Sequence, residues 1–421
     1  MTIETLYEHF LKCKSVCTDT RNISENCMFF ALQGGNFNGN KFAEDAIKNG
    51  ASFAIIDDIE YKINDQYLMV DDVLIALQNL ALFHRKHLNT PIISLTGSNG
   101  KTTTKELVNA VLSKKYKTTA TKGNLNNHIG VPLTLLSMNN TTEIGIVEMG
   151  ANHQKEIEFL SNIALPDYGL ITNFGKAHLE GFGSIEGVIK GKSELYQHLK
   201  VNSKIIFVNH HDELQIKQVG AYDHIEVFGS KTQLLESQPY LSLSYEQQTI
   251  KSHLTGSYNY NNVCVAIALG EYFKVSTKDI VDAIENYIPS NNRSQIVNQN
   301  GHQIILDAYN ANPSSMLAAL SNFNQLKNEN KVVILGDMFE LGETAPEEHQ
   351  HISDYTSDLK LKNAIFVGEN FYNIKSKNSN SNYFKSFEDL NAHFGNFNFN
   401  QQLFLIKGSR GMALERVLNL I

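Results

Sequence analysis

A chain of 421 residues, 42% hydrophobic and 19% charged, has the composition of a globular protein and is too long for one ordinary core, so two or three domains are expected. The net charge of −8, with no cluster of Lys and Arg, argues against nucleic acid or an anionic membrane surface as the main partner and leaves small anionic ligands held locally. No run of about 18 apolar residues occurs and Met1–Phe10 has no basic-then-apolar pattern, so neither a membrane span nor export is expected and the reading is cytoplasmic. Cys13, Cys17, Cys27 and Cys264 form no paired CxxC hooks, which reads as idle or buried thiols rather than a metal site.

Residues 1 to about 85 alternate short strands and helices. Cys27 to Leu32 reads as a buried strand, Lys41 to Asn49 as a helix and Phe53 to Ile56 as the next strand. Two polar loops stand out, Asp19-Thr20-Arg21 and Gln33 to Gly39; since Gly and Asn are common turn residues, solvated turns are an equal reading. Val73 to Leu88 has helical apolar spacing and must end before Pro91, which sets a first unit at 1–88.

The next stretch organises the chain. Ile92 to Thr96 is an apolar, β-branched run; Gly97-Ser98-Asn99-Gly100-Lys101-Thr102-Thr103 follows, and Lys105 to Leu112 reads as a helix. Glycines let the backbone turn its N–H groups inward, and a helix N-terminus adds positive potential, so this strand–loop–helix suits a phosphate. Lys101 would reach the β and γ phosphates and the Thr102 hydroxyl would sit on Mg²⁺. Only two residues separate the glycines instead of the usual four; a plain glycine turn is the competing reading, but it has no use for the Lys-Thr pair. An ATP site is expected.

Thr121 to Pro132 contains Asn124, Asn126 and Asn127 and is too rich in amides for a core element, so it should line a cleft. The strand Ile144 to Val147 delivers Glu148 at its C-terminal end, where ligands of open α/β sheets collect, which makes Glu148 a candidate metal ligand with helix capping as the alternative. The strand Tyr168 to Thr172 runs into a loop holding His178, and a helix follows through Lys192 to Tyr196; taken singly, that histidine and that lysine are unremarkable. Asn259 and Asn262 open a strongly apolar helix and either read a base edge or cap it.

Asn291 to Ser294, after Pro289, marks a second boundary, giving a central unit at 89–290 and a third at 291–421. Strands at Gln303–Leu306, Lys331–Leu335, Ala364–Val367 and Gln402–Ile406 alternate with helices, as in a mainly parallel sheet. Their ends carry Asp307 to Pro313, Gly336 to Met338 and Lys407 to Gly411, read as three polar loops of one binding face. Lys407 and Arg410 suit an anion such as a carboxylate.

Together, Thr96 to Thr103, Glu148, His178, Lys192 and Asn259 to Asn262 resemble the Mur ligase family, ATP-dependent amide-forming enzymes of peptidoglycan synthesis. Gly123 to Asn127, Glu148 to His153, His178 to Gly183 and Asp307 to Pro313 are similar to the branch that adds a dipeptide, and the resemblance spans essentially the whole chain. It implies an α/β protein of three-domain architecture, with a central P-loop ATPase-like domain and a Rossmann-like C-terminal domain. It further implies UDP-N-acetylmuramoyl-tripeptide and D-alanyl-D-alanine as substrates, joined through an acyl phosphate by a monomeric enzyme.

By the same resemblance, Gly97 to Thr103 hold ATP, Asn262 contacts adenine, and Arg293 and Asp307 close onto the nucleotide. Thr102 and Glu148 hold one Mg²⁺; Glu148, His178 and Lys192 hold a second, Lys192 as its carbamate and preferred over Lys190. Lys101, Glu148, His178, Lys192 and Arg293 form the implied catalytic set. Asp19, Thr20 and Arg21 lie by the uridine nucleotide, and Asn124, Asn126, Asn127, Asn310, Lys407 and Arg410 bind the remaining substrate. An open form that closes on substrates is implied, and Lys155 stands where the branch commonly has glycine. The third-residue-adding ligases carry an Asp-Asn-Pro-Arg element absent here; folylpolyglutamate synthases and a nucleotide-binding module without ligase activity are the other rivals.

Overall fold

The computed structural model describes residues 1–421 apart from Asn291, Lys360, Lys362 and Asn378. Asn291, where the sequence sets the start of the third unit, thus lies outside the described residues.

Three parallel-rich sheets follow one another along the chain. The first has strands in the order Ser15–Cys17, Cys27–Phe30, Phe53–Ile56 and Tyr67–Met69, all parallel. The second runs Ile225–Phe228, Ile205–Asn209, Tyr168–Ile171, Ile92–Thr96, Ile144–Glu148 and Thr118–Ala120, again parallel throughout. The third runs Gln295–Gln299, His302–Asp307, Leu403–Lys407, Lys331–Gly336, Asn363–Val367 and Ser381–Phe384, with only its first pair antiparallel. A three-stranded antiparallel sheet, Thr232–Glu236, Ser242–Tyr245 and Gln248–Lys251, is set beside the central one.

The central strands Ile92–Thr96 and Ile144–Glu148 are buried at every position, which is why they read as mainly apolar runs. The strands that the sequence did not announce are edges or short: Ser15–Cys17, Tyr67–Met69, Thr118–Ala120, Gln295–Gln299 and Ser381–Phe384. One face of an edge strand meets solvent, so its composition is mixed. The helix read as Lys105–Leu112 begins a turn earlier, at Lys101, because the loop glycines hand the chain straight into helical geometry.

The helix Val73–Leu88, capped by Asp72 and stopped at Asn89 in left-handed geometry, joins the first two units. Its Arg85 donates from Nε to the Ala164 carbonyl at 2.9 Å and from Nη2 to Leu165 O at 2.9 Å and Asp167 Oδ2 at 2.8 Å. These bonds explain how a buried guanidinium is tolerated. Polar contacts help to join the third unit to the central one. Lys176 N donates to Ser314 Oγ at 2.9 Å and Lys176 Nζ to Glu348 Oε1 at 2.6 Å.

Candidate active site

A cleft of about 860 Å³ lies where the C-terminal ends of the central strands face the third unit. Its floor is the loop Gly97–Gly100. Gly97 has φ +147°, and a Cβ there would lie 1.9 Å from Thr172 Oγ1, so no other residue fits without displacing the neighbouring strand end. Ser98 N donates to Asn173 O at 3.1 Å, Asn99 N to Asn173 Oδ1 at 3.0 Å, and Thr172 Oγ1 to Asn99 O at 2.6 Å. Thr172 and Asn173 therefore set the loop's shape, a role the sequence left unread because they look like ordinary residues after a strand.

Lys101, at the first helical position, folds back to donate to Gly97 O at 2.7 Å. Burial lowers its pKa, and nearby Arg293 adds to that while Glu148 and Glu340 oppose it. Thr102 Oγ1 lies 3.0 and 3.2 Å from the two carboxylate oxygens of Glu148. Asn126 Nδ2 donates to Glu148 Oε1 at 2.8 Å, so the amide-rich segment does line the cleft, beside Asn124 and Asn127. One turn along the helix, buried Lys105 brings its Nζ to 4.0 Å from Glu148 Oε2. A sequence reader could have found it from the helical spacing after Lys101.

Asn262 sits behind the loop, with Oδ1 accepting from Thr104 Oγ1 at 3.0 Å and Nδ2 donating to Asn259 Oδ1 at 2.9 Å. It lines the cleft while bracing Gly100, against which it packs. Both sequence readings of this pair, base contact and local support, thus concern one buried cluster.

Lys192 is fully buried whereas Lys190 is exposed. Lys192 Nζ donates to Ala151 O at 3.0 Å and faces the Phe182 ring at 5.1 Å. Burial, and then the neighbouring Lys101, push its pKa well below the usual lysine value. A lysine whose pKa is lowered in this way more readily loses the proton that must leave before it can attack CO₂. His178 lines the cleft, but its Nδ1 lies 2.5 Å from Glu340 Oε2 of the third unit. Among the described residues no group of three His, Cys, Asp or Glu side chains stands together as a ready-made metal cage. Thr102 and Glu148 are thus directly joined, while His178 and Lys192 are each engaged elsewhere.

From the third unit, the Arg293 guanidinium stacks on Tyr309 at 3.7 Å, and its buried Nε has no hydrogen-bond partner among the described residues. Asp307 accepts from Lys407 Nζ at 2.6 Å and from Ser294 N at 3.1 Å. Tyr258, pushed up to about 12 chiefly by burial, bonds Ser294 Oγ at 2.9 Å.

Lys407 is consequently not an unpaired anion receptor: Asp307 and the Asn310 carbonyl occupy it. Arg410, in the cleft wall, pairs with Glu415 at 2.5 Å and keeps more than half its side chain exposed. Of the three strand-end loops, the one at Asp337 turns away: its carboxylate is buried and accepts from Asn370 N, Asn370 Nδ2 and Phe371 N. Asp337 thereby caps the short helix Glu369–Tyr372, which accounts for an acid that sequence position had suggested for binding.

Asp19, Thr20 and Arg21 lie outside this cleft. Arg21 forks onto Asp19 with 2.8 and 2.9 Å bonds, which hold that carboxyl down at about 2. Gly39 packs its α-carbon against the chain at Leu32, where a Cβ would lie 2.4 Å from the Leu32 carbonyl. The loop Gln33–Gly39 forms a small hairpin and is held through Asn40 by Asp57, whose Oδ1 accepts from Asn40 Nδ2 at 2.7 Å and Gln33 Nε2 at 2.6 Å.

Three family models match this chain in order: the Mur ligase family catalytic domain at residues 12–90, the Mur ligase middle domain at 95–270 and the Mur ligase glutamate ligase domain at 292–410. The chain is 34% identical to UDP-N-acetylmuramoyl-tripeptide–D-alanyl-D-alanine ligase of Bacillus subtilis, over 96% of this chain and 92% of that one. The chain belongs to the Mur ligase family.

Its similarity to the same-named ligase of Rickettsia prowazekii is 31% identity over 97% of this chain and 95% of the other. Among solved structures, MurF from Acinetobacter baumannii superposes with a TM-score of 0.86 at 29% identity, covering 99% of this chain and 98% of that chain. The MurF ligase of Thermotoga maritima in complex with ADP gives 0.84 at 25% identity, covering 98% and 97%. The three-domain Mur ligase architecture expected from the sequence is therefore the observed one. Among the described residues no helix is long and apolar enough to cross a membrane.

Proposed function

We propose that this Mur ligase joins D-alanyl-D-alanine to UDP-N-acetylmuramoyl-tripeptide with ATP, giving the UDP-pentapeptide, ADP and phosphate for peptidoglycan synthesis. The observation that carries the reading is the Thr102–Glu148 contact at the mouth of the Gly97–Gly100 loop, with Lys101 beside it. The names of the related ligases supply the substrates.

The division of labour follows the three units: 1–88 for the UDP-sugar, 89–290 for ATP and 291–421 for the dipeptide. Thr102 and Glu148 offer the hard oxygen ligands that Mg²⁺ requires. A carbamate on Lys192 would add oxygens toward a second ion with Glu148 and His178. The burial of the amine, which pushes its pKa down, supports this, since a protonated lysine neither reacts with CO₂ nor binds a cation. When bound, the metal ions neutralise charge on the transferring phosphoryl group.

Gly97, Ser98, Asn99, Gly100 and Thr103 cradle the phosphates with backbone N–H groups, and Asn262 contacts adenine from behind the loop. Lys101 leaves the Gly97 carbonyl for the β and γ phosphates. The tripeptide's terminal carboxylate attacks the γ-phosphorus, forming an acyl phosphate and ADP. The unpartnered Nε of Arg293 meets the developing negative charge. The dipeptide amine then adds to the acyl carbon, and collapse of the tetrahedral intermediate expels phosphate. Asn124, Asn126 and Asn127 orient the acceptor side, while Asp307 anchors Lys407 and closes on the nucleotide. Asn310 and Arg410 face the dipeptide; Asp19, Thr20 and Arg21 hold the uridine nucleotide. The docked third unit excludes water from the acyl phosphate. A cytoplasmic setting and a monomeric state belong to the same proposal.

The test is ATP- and Mg²⁺-dependent phosphate release with UDP-N-acetylmuramoyl-tripeptide, comparing D-alanyl-D-alanine with a free diamino acid and L-glutamate, and the product weighed by mass spectrometry. Release that needs the dipeptide is expected. Release with another acceptor would move the chain to a sister activity.

A further inference from the structure

The carboxylate of Glu340, contributed by the third unit, has no part in the reaction as described above, yet it lines the cleft and lies against His178 of the central unit. We infer that Glu340 is a positioning residue that fixes the imidazole of His178 only when the third unit is docked, an inference that rests on the proposed role of His178.

The geometry is a two-point grip. Glu340 Oε2 lies 2.5 Å from His178 Nδ1, and the Glu340 carbonyl accepts from Glu180 N at 3.1 Å. Glu340 holds φ +61° and His178 φ +52°, both in the left-handed region that a residue with a Cβ adopts at some cost. Gly342, at φ +55°, lets the loop come so close that a Cβ there would lie 3.3 Å from Glu180 Cα. Two unfavourable backbone conformations meeting at one contact are retained because the docked arrangement determines them.

The Glu340 carboxylate lies against Nδ1, though the two atoms meet outside hydrogen-bond geometry. Because a carboxylate only accepts hydrogen bonds, a small turn of the ring that seats this bond would place the proton on Nδ1 and leave the lone pair of a neutral ring on Nε2. That is the arrangement in which a histidine serves as a metal ligand, its other nitrogen held by a carboxylate. His178 therefore acquires its working tautomer from another domain. An undocked third unit would leave the ring free to rotate and to hold either tautomer, which ties phosphoryl transfer to closure and protects ATP from hydrolysis in the open enzyme.

The test uses the full chain with Glu340→Ala, Glu340→Gln, His178→Ala and the Glu340→Ala/His178→Ala double variant. Glu340→Ala keeps the backbone bond to Glu180, so docking is retained and thermal melting should change little. We expect its kcat for phosphate release to fall about 10- to 100-fold, with the KM for the dipeptide within about twofold of wild type. Glu340→Gln, which keeps an acceptor oxygen, should recover most of that loss, and the double variant should be no slower than His178→Ala alone. Independently of activity, ¹⁵N-histidine spectra of the metal-free protein with ADP, assigned by difference from His178→Ala, should show the Nδ1–H tautomer in wild type and a mixture in Glu340→Ala. Wild-type kcat in Glu340→Ala, losses that multiply in the double variant, or an unchanged tautomer would each overturn the inference. Full activity in His178→Ala would instead remove the reading beneath it.

Discussion

Asn312 of the third unit reaches 2.8 Å from its Nδ2 to Oδ1 of Asn99 in the phosphate loop, while its own Oδ1 accepts from Ser315 N and caps the helix Pro313–Gln325. One side chain thus starts a helix and reports on the nucleotide loop of another domain. Asn312→Asp preserves the cap but replaces the donor with a negative charge beside the phosphate cradle. The melting temperature should hold, and the KM for ATP should rise about tenfold at low salt, corresponding to roughly 1.4 kcal/mol. Steady-state kinetics over an ATP series checks this.

The Thr102–Glu148 pairing predicts that Glu148→Gln, which keeps size and hydrogen bonding but loses the charge, lowers kcat at least about 100-fold. Raising Mg²⁺ should fail to restore it. Retained activity at ordinary Mg²⁺ would remove the metal assignment at this residue.

Lys155 begins the helix Glu156–Ala164 at φ +73° without a side-chain cap; the carboxylate of Glu194 accepts from Lys155 N at 2.6 Å and Glu158 N at 3.0 Å instead. Only glycine adopts that backbone freely, so the lysine is held there at a cost. Lys155→Gly should stabilise the protein by about 1 kcal/mol. Its exposed pair with Glu158 contributes little to offset this. Urea denaturation would show the midpoint move up, with activity unchanged.

Buried Lys192 should cost stability in protein stripped of CO₂. Its folded pKa lies well below 10.5, so the unfolded chain binds a proton that the folded chain gives up, and stability rises with pH between the folded value and 10.5. Lys192→Met should therefore melt higher than wild type at pH 7 and lose part of that advantage at pH 9, while phosphate release is abolished. Bicarbonate should raise wild-type activity and leave the methionine variant inert. Thermal melts at the two pH values, in degassed buffer, check the sign.

Breaking the Lys407–Asp307 pair is expected to act on both folding and binding. Lys407→Met leaves Asp307, 18% exposed, without its cation. The loss should be about 2 kcal/mol, less than for a fully buried pair because Asp307 keeps some solvent. The KM for D-alanyl-D-alanine should rise with it, as read from urea melts and acceptor titrations.

The sequence by itself determined the three α/β units, the buried central strands, the loop Gly97–Thr103 and Glu148 at a strand end. These are local facts: apolar runs, glycines and residues a fixed number of steps from a strand, so chain order was enough. It also marked Asn124, Asn126 and Asn127 as cleft-lining, because an amide-rich stretch cannot be core, but not the bond of Asn126 to Glu148. Tertiary structure alone decided the rest. Resemblance had favoured Lys192 over Lys190, but that Lys192 is the buried one depends on which helix face meets the central sheet. Whether Asp307 or Asp337 opens to the cleft depends on which backbone N–H groups lie beside each; Asp337 was claimed by Asn370 and Phe371. The joins of Asn99 to Asn312 and His178 to Glu340 link residues more than 150 positions apart. No spacing rule reaches that far, because such contacts arise from the docking of whole domains rather than from the period of any helix or strand.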